Sequence, residues 1–113
     1  MATFDAPFHE QAFIEMEEGK KTVYVILATE EYDCMSAGDR LEFGSHGSIH
    51  VGMVRRYPDL ESLMEAEGFH NLVPQAETAE AALGVIRSIE EWDAEAEKGQ
   101  GVLALRVREA RRK

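Results

Sequence analysis

The clearest hydrophobic pattern in the chain is an uncharged run over residues 22–28. β-Branched, aromatic and aliphatic side chains dominate the run, which favours a strand. Successive side chains of a strand point to opposite faces, and both faces are apolar here. The run is therefore predicted to be a strand that is covered on both sides, as in a small barrel or a sheet under a helix. The two faces are Val23, Val25 and Leu27, and Thr22, Tyr24, Ile26 and Ala28.

Helical periodicity appears in the sequence both before and after this strand. An apolar stripe with acidic residues opposite predicts a helix from Phe8 to Glu18, which Gly19 ends. Asp59 is a predicted N-cap for a second helix over Leu60–Glu67, which stops at Gly68. Further helical segments are predicted at Glu77–Ile89 and Ile89–Lys98.

Three more strands are predicted, at Arg40–Phe43, Ile49–Tyr57 and Val102–Val107, with a hairpin loop over Gly44–Ser48. Strands interspersed with short helices predict an α+β fold, a small and mostly antiparallel β-barrel with helices packed around it. At 113 residues the chain is expected to be one domain over residues 1–113.

Composition narrows the class of protein. No segment approaches the roughly 18 consecutive apolar residues that a membrane span needs, and no secretory signal is visible at the N-terminus. A single cysteine, Cys34, fits a reducing compartment, so we expect a cytoplasmic protein without membrane partners.

The charge is strongly acidic and unevenly distributed. The formal net charge of −10 argues against duplex DNA, because duplex binding relies on clustered Lys and Arg. Residues 106–113 are basic, with five Lys or Arg against Glu109. This tail is either a solvated terminus or a basic segment that binds RNA or an acidic partner through its charge.

Few residues suggest chemistry on spacing alone. The four histidines lack metal-site spacing, and no cofactor motif is present, so we expect neither a metal nor a cofactor. Lys21 stands out, because it lies between the helix-ending Gly19 and the buried strand. Its ammonium could offer three donors and a charge at the open end of the barrel. Otherwise it is a surface lysine that pairs with Glu17 or Glu18.

Five segments together resemble the ASCH domain family of the PUA-like superfamily. They are Gly19–Val25, Ala37–Phe43, Arg56–Gly68, Leu72–Pro74 and Gly101–Leu105. The resemblance covers nearly the whole chain, in order. It implies a PUA-like barrel with a cleft over it, in which family members are thought to bind RNA or nucleosides. One branch comprises amidohydrolases that deacetylate 4-acetylcytidine with a lysine, a threonine and a glutamate.

The resemblance places the family lysine on Lys21 and the family glutamate on Glu67, with Glu65 as the alternative. These two residues are the implied catalytic pair. The chain departs from the family pattern at Tyr24, which replaces a glutamate or threonine, and at Ile26, which replaces an arginine. A tyrosine ring could stack on a base instead.

We therefore expect a cleft lined by Lys21, Tyr24 and Glu67, with Arg40 and Arg55 as further ligand-binding candidates. The leading hypothesis is a binding module for RNA or a nucleotide-like small molecule. The alternatives are an amidohydrolase that acts on an acylated nucleoside, and a degenerate fold that serves as an interaction protein.

Overall fold

A computed structural model describes residues 2–6, 10–89 and 92–113, with the backbone alone for residues 10–12. The elements are β1 Thr3–Asp5, α1 Glu10–Glu17, β2 Val23–Leu27, β3 Arg40–Glu42, β4 Gly47–Tyr57, α2 Leu60–Glu67, α3 Phe69–Leu72, α4 Ala79–Arg87, α5 Ala94–Gln100 and β5 Val102–Arg112. Within these residues, no helix is long and apolar enough to cross a membrane.

The strands form one curled sheet in the order β1-β3-β4-β5-β2, a half-barrel whose edge strands β1 and β2 do not pair with each other. Only β1 and β3 are parallel; the other pairs are antiparallel. The predicted fold class, α+β with a mostly antiparallel barrel-like sheet, is confirmed.

Strand β2 is buried at every position, as its two apolar faces predict. All five residues belong to the hydrophobic core, and β2 is in contact with α3 and α5. Tyr24 meets the ring of Phe43 edge-on at 5.3 Å between ring centroids, and Phe43 also contacts Phe13. The interior of the sheet is therefore filled by large side chains.

The basic tail is not the solvated terminus that was one of its two predicted roles, because β5 runs to Arg112, beyond the predicted end of this strand at Val107. Residues 106–112 pair with β4 as far as Gly47, opposite Arg112. They are largely exposed. Their sequence therefore lacks the apolar alternation that indicates a strand. Gly47 is required there, since a Cβ at this position would collide with the carbonyl oxygen of Arg111.

The helices follow the predictions with shifted bounds. Asp59 caps α2 by accepting a hydrogen bond from the Ser62 amide at 2.8 Å, as predicted. The first helix is seen over Glu10–Glu17, and the start predicted at Phe8 lies outside the described residues. The last helix is α5, and residues 90–91 of the segment predicted at Ile89–Lys98 also lie outside them.

Candidate functional site

Lys21 is held in the interior of the protein. Its backbone amide bonds to the carbonyl of Glu15 at 3.1 Å, and its Nζ donates to the carbonyl of Leu72 at 2.5 Å. Only 7% of the residue is exposed. Burial lowers the pKa of Lys21 to about 8, against the opposing attraction of Glu15. A surface lysine that pairs with Glu17 or Glu18 is therefore the wrong interpretation; Lys20 has that role, 3.5 Å from Glu18.

Glu67 is a buried carboxylate at the end of α2. Its Oε2 accepts a hydrogen bond from the Tyr57 hydroxyl at 2.5 Å, and its Oε1 accepts one from Arg106 Nε at 3.2 Å. The bond to Glu67 raises the pKa of Tyr57, while Arg55 acts in the opposite direction. We call Arg55, Tyr57, Glu67 and Arg106 the Glu67 cluster.

The sheet explains why this cluster forms. In the β4–β5 pairing, Met53 lies opposite Arg106 and Arg55 lies opposite Ala104. Residues directly opposite each other in an antiparallel pair share a face, so Arg55, Tyr57 and Arg106 project toward α2. The last turn of α2 then brings Glu67 onto the same face.

Lys21 and Glu67, the two residues predicted to share a site, have different hydrogen-bond partners. Among the residues that the structure describes, no hydrogen bond or ion pair joins them, and the carboxylate that acts on Lys21 is Glu15. Helix α3 contacts both segments, since the Asn71 carbonyl accepts a hydrogen bond from the Thr22 amide at 3.0 Å and the Asn71 side chain donates to the Glu67 carbonyl at 2.7 Å. The Lys21 amine bonds to α3 itself through Leu72, whereas the Glu67 carboxylate bonds to Tyr57 on β4 and Arg106 on β5.

Tyr24 does not line a cleft. It is 1% exposed and Ile26 is 0% exposed, so both residues at which the chain departs from the family pattern are part of the core. The Tyr24 ring lies 5.8 Å from Lys21 Nζ and offers no open face to a base. Tyr24 and Ile26 are buried because both faces of β2 are covered, as the two apolar faces of this strand predict.

The two candidate arginines are separated. Arg55 belongs to the Glu67 cluster and is exposed, with its Nε 3.2 Å from the sulfur of Met53. Arg40 lies on β3, and its Nη2 pairs with Glu42 at 3.3 Å. Its Nε is buried and has no hydrogen-bond partner among the described residues. Arg40 is thus distant in the sheet from the other candidates.

Sequence reasoning missed Tyr57 and Arg106. The signal that could have found Tyr57 is the alternation along β4, which puts Arg55 and Tyr57 on one face. Arg106 lies in the predicted strand Val102–Val107, but without the register of β5 its position opposite Met53 could not be known.

A second buried carboxylate, Glu97, shows what a purely structural site looks like here. It accepts hydrogen bonds from the Arg87 side chain, the Leu60 amide and the Trp92 indole, with distances of 2.5–3.2 Å. These donors fill its acceptor positions, whereas the described residues give Glu67 two side-chain donors for the roughly four acceptor positions of a carboxylate. Glu67 keeps capacity for another partner.

Two clefts lie along β4 and share Arg56. One, of about 430 Å³, lies between the end of β4 and the turn after α5, and Tyr57 and Lys98 line it. The other, of about 490 Å³, lies between β4 and residues 33–37. Arg56 Nη2 donates to the carbonyl of Gln100 at 2.6 Å, which fixes the guanidinium between the clefts. Across the described ranges, no group of three or more His, Cys, Asp or Glu side chains could hold a metal ion.

The fold is similar to that of two solved structures. The crystal structure of hypothetical protein PH0355 shares 27% sequence identity with this chain and has a TM-score of 0.86, covering 98% of this chain and 100% of that chain. The solution NMR structure of protein PF0455 from Pyrococcus furiosus shares 26% identity with a TM-score of 0.74, covering 97% of each chain. No family model and no curated protein matches the sequence.

Proposed function

We propose that the chain binds RNA or a nucleotide-like small molecule on the surface that β4 and β5 form. One observation carries this proposal. Six of the twelve Lys and Arg residues of an otherwise acidic chain lie on these two strands, where Glu109 is the only acidic residue. This concentration of cations on two strands of a protein of net charge −10 favours an anionic partner that is small enough to avoid the acidic surroundings.

Three of these arginines are available to a ligand. Arg106, Arg111 and Arg112 are paired with Glu67, Glu109 and Glu17. In contrast, the described residues provide no ion pair for Arg55, Arg56 or Arg108, all of which are exposed. A guanidinium binds a phosphate through two parallel hydrogen bonds, so these residues suit the phosphates of a nucleotide or a short single strand.

The Glu67 cluster adds polar groups beside those cations. The side chain of Arg106 is 52% exposed, while that of Glu67 is 2% exposed beneath it. A shift of Arg106 would expose a carboxylate that can accept hydrogen bonds from the amino group of a base. The cluster therefore offers hydrogen-bond partners to the polar groups of a nucleotide or of a single strand that lies across β4 and β5.

The test is fluorescence anisotropy with end-labelled RNA hexamers of a single base type, at several salt concentrations. We expect Arg55→Gln, Arg56→Gln and Arg108→Gln each to weaken binding. Each should also reduce the slope of log affinity against log salt by about 0.7, as expected for one lost phosphate contact on a single strand. Arg111→Gln is the matched control, because that arginine is exposed on the same surface but pairs with Glu109. Absence of binding, or equal effects of all four variants, would refute the proposal.

An amidohydrolase that acts on an acylated nucleoside is the second candidate, which the resemblance to the ASCH family suggests. The observation in its favour is the buried Lys21, whose pKa of about 8 suits proton transfer near neutral pH. The test is incubation with acylated nucleosides, including 4-acetylcytidine. Turnover that Lys21→Ala abolishes supports the enzyme, and no turnover in the parent protein eliminates it. If RNA, nucleotides and acylated nucleosides all fail, the packing of Tyr24 and Ile26 favours a degenerate fold that acts as an interaction protein.

A further inference from the structure

Strand β4 has an open edge over its second half. Its neighbour β3 pairs with it only as far as His50. Beyond that point, the Val51 amide bonds to the Asp39 carbonyl and the Val51 carbonyl accepts from the Gly38 amide. Among the described residues, these are the last backbone hydrogen bonds on the β3 side of β4. From Gly52 to Tyr57, the described residues provide no backbone partner on the β3 side, and β4 pairs with β5 alone.

The register identifies which backbone groups face that edge. The amide of Val107 bonds to Thr22, and the carbonyl of Gly101 accepts from Ala28, so the odd-numbered residues of β5 point toward β2. Arg106 and Ala104 therefore point toward β4, where their partners are Met53 and Arg55. Backbone groups of successive strand residues point to opposite edges, so those of Val54 and Arg56, which lie next to Arg55, point away from β5. The N–H and C=O groups of Val54 and Arg56 consequently face the open side.

The cleft of about 490 Å³ lies against this edge, and we call it the β4-edge groove. Its lining includes the apolar side chains of Met35, Val54 and Leu103, the guanidinium-bearing Arg56, and the polar residues Asp33 and Ser36. The volume falls within the range of pockets that hold small organic ligands, roughly 300–1,000 Å³. Gly52 also lines the groove and contributes no side chain to obstruct it.

We propose that the base of the bound nucleotide lies in the β4-edge groove, hydrogen-bonded to the main chain of Val54 and Arg56, with a phosphate on the Arg56 guanidinium. This inference rests on the proposed function and names the place where the base is read. Every nucleobase carries a donor next to an acceptor on its Watson–Crick edge. The Val54 carbonyl and the Arg56 amide present the complementary acceptor and donor on one strand edge.

The guanidinium can serve the phosphate without giving up its present contact. Arg56 uses Nη2 for the Gln100 carbonyl, which leaves most of its five N–H donors for a ligand. A second copy of the chain fits the edge less well than a nucleotide does. Antiparallel pairing of two copies through Val54 and Arg56 would place Arg55 directly opposite Arg55, and like charges in that position are destabilising.

The experiment is a two-dimensional ¹H–¹⁵N NMR titration of the full chain with the four nucleoside 5′-monophosphates and, separately, with RNA hexamers. We expect the amide of Arg56 to shift most among the backbone amides, together with that of Val54. Ala37→Leu fills the groove from its exposed wall and should weaken binding at least tenfold. Ala81→Leu, at an exposed helix position away from the groove, should leave binding unchanged.

The outcomes separate this inference from the proposed function. Saturable shifts with a monophosphate identify a free nucleotide as sufficient, whereas shifts with the hexamers alone identify RNA; both support the inference. Binding with unmoved Val54 and Arg56 amides and full affinity in Ala37→Leu would overturn the groove and leave the proposed function intact. No binding of either kind of probe would overturn both. Shifts at the edge that depend on protein concentration without a nucleotide would assign the edge to self-association instead.

Discussion

Replacing Lys21 by Met tests whether the buried amine lowers the stability of the fold when it is charged. Methionine keeps an unbranched side chain of similar size but carries no amine. The folded pKa of Lys21 is about 8, against 10.5 for an ordinary lysine, because burial outweighs the attraction of Glu15. At pH values between these two pKa values, Lys21 binds more protons in the unfolded chain than in the folded chain. The free energy of unfolding therefore rises with pH through that window.

The magnitude follows from the two pKa values. Their difference corresponds to about 3 kcal/mol, since each pKa unit is equivalent to about 1.36 kcal/mol. We expect the parent protein to gain about this much stability relative to Lys21→Met as the pH is raised from below 8 to 10.5. The variant also leaves the Leu72 carbonyl without its donor, which shifts its stability similarly at every pH and does not change the slope.

The assay is urea denaturation followed by circular dichroism at a series of pH values, with the difference in unfolding free energy plotted against pH. Lys20→Met is the control, because it removes a neighbouring exposed amine that lies 3.5 Å from Glu18. Its difference curve should stay flat. A flat curve for Lys21→Met as well would refute the reasoning, since a buried amine whose protonation opposes folding must produce the rise.

Three further predictions concern the buried polar groups and the turn after α5. Glu97→Gln should lower the free energy of unfolding by roughly 2 kcal/mol or more, because it removes the charge that binds Arg87 and a buried acceptor for its other donors. Tyr57→Phe should cost about 1–3 kcal/mol, since Glu67 loses a hydrogen-bond donor. Gly101→Ala should cost roughly 2 kcal/mol or more, because φ is +84° and the new Cβ would lie 2.5 Å from the Tyr57 carbonyl oxygen. Urea denaturation at neutral pH measures all three.

Matched variants decide whether these effects are specific. Glu95→Gln changes an exposed acid on the same helix as Glu97 and should have little effect. Gly99→Ala adds a Cβ in open space, two residues before Gly101, and should be tolerated. Equal losses in Glu95→Gln and Glu97→Gln, or in Gly99→Ala and Gly101→Ala, would contradict the assigned contacts. A Tyr57→Phe variant as stable as the parent would show that Glu67 does not depend on the tyrosine.

Much of the fold could be read from local patterns. The covered strand β2 follows from its two apolar faces, and α2 follows from the Asp59 cap and the apolar residues behind it. The missed extension of β5 has a clear cause, since only Val107 and Ala110 are partly buried over residues 106–112, and their spacing leaves no hydrophobic alternation in the sequence. The candidate site was harder to predict, because Glu67 and Arg106 are 39 residues apart in the chain.

The sequence alone determined that Lys21 lies between a helix-ending glycine and a buried strand, but it left open whether the amine is held inside or pairs with Glu17 or Glu18 at the surface. Only the tertiary structure decided what the amine and the carboxylate would contact. Lys21 reaches a carbonyl 51 residues away on α3, and Glu67 turns to Tyr57 and Arg106 on the sheet. Local periodicity fixes which face a side chain occupies, whereas the pairing register of distant strands and the position of α3 fix which groups meet there.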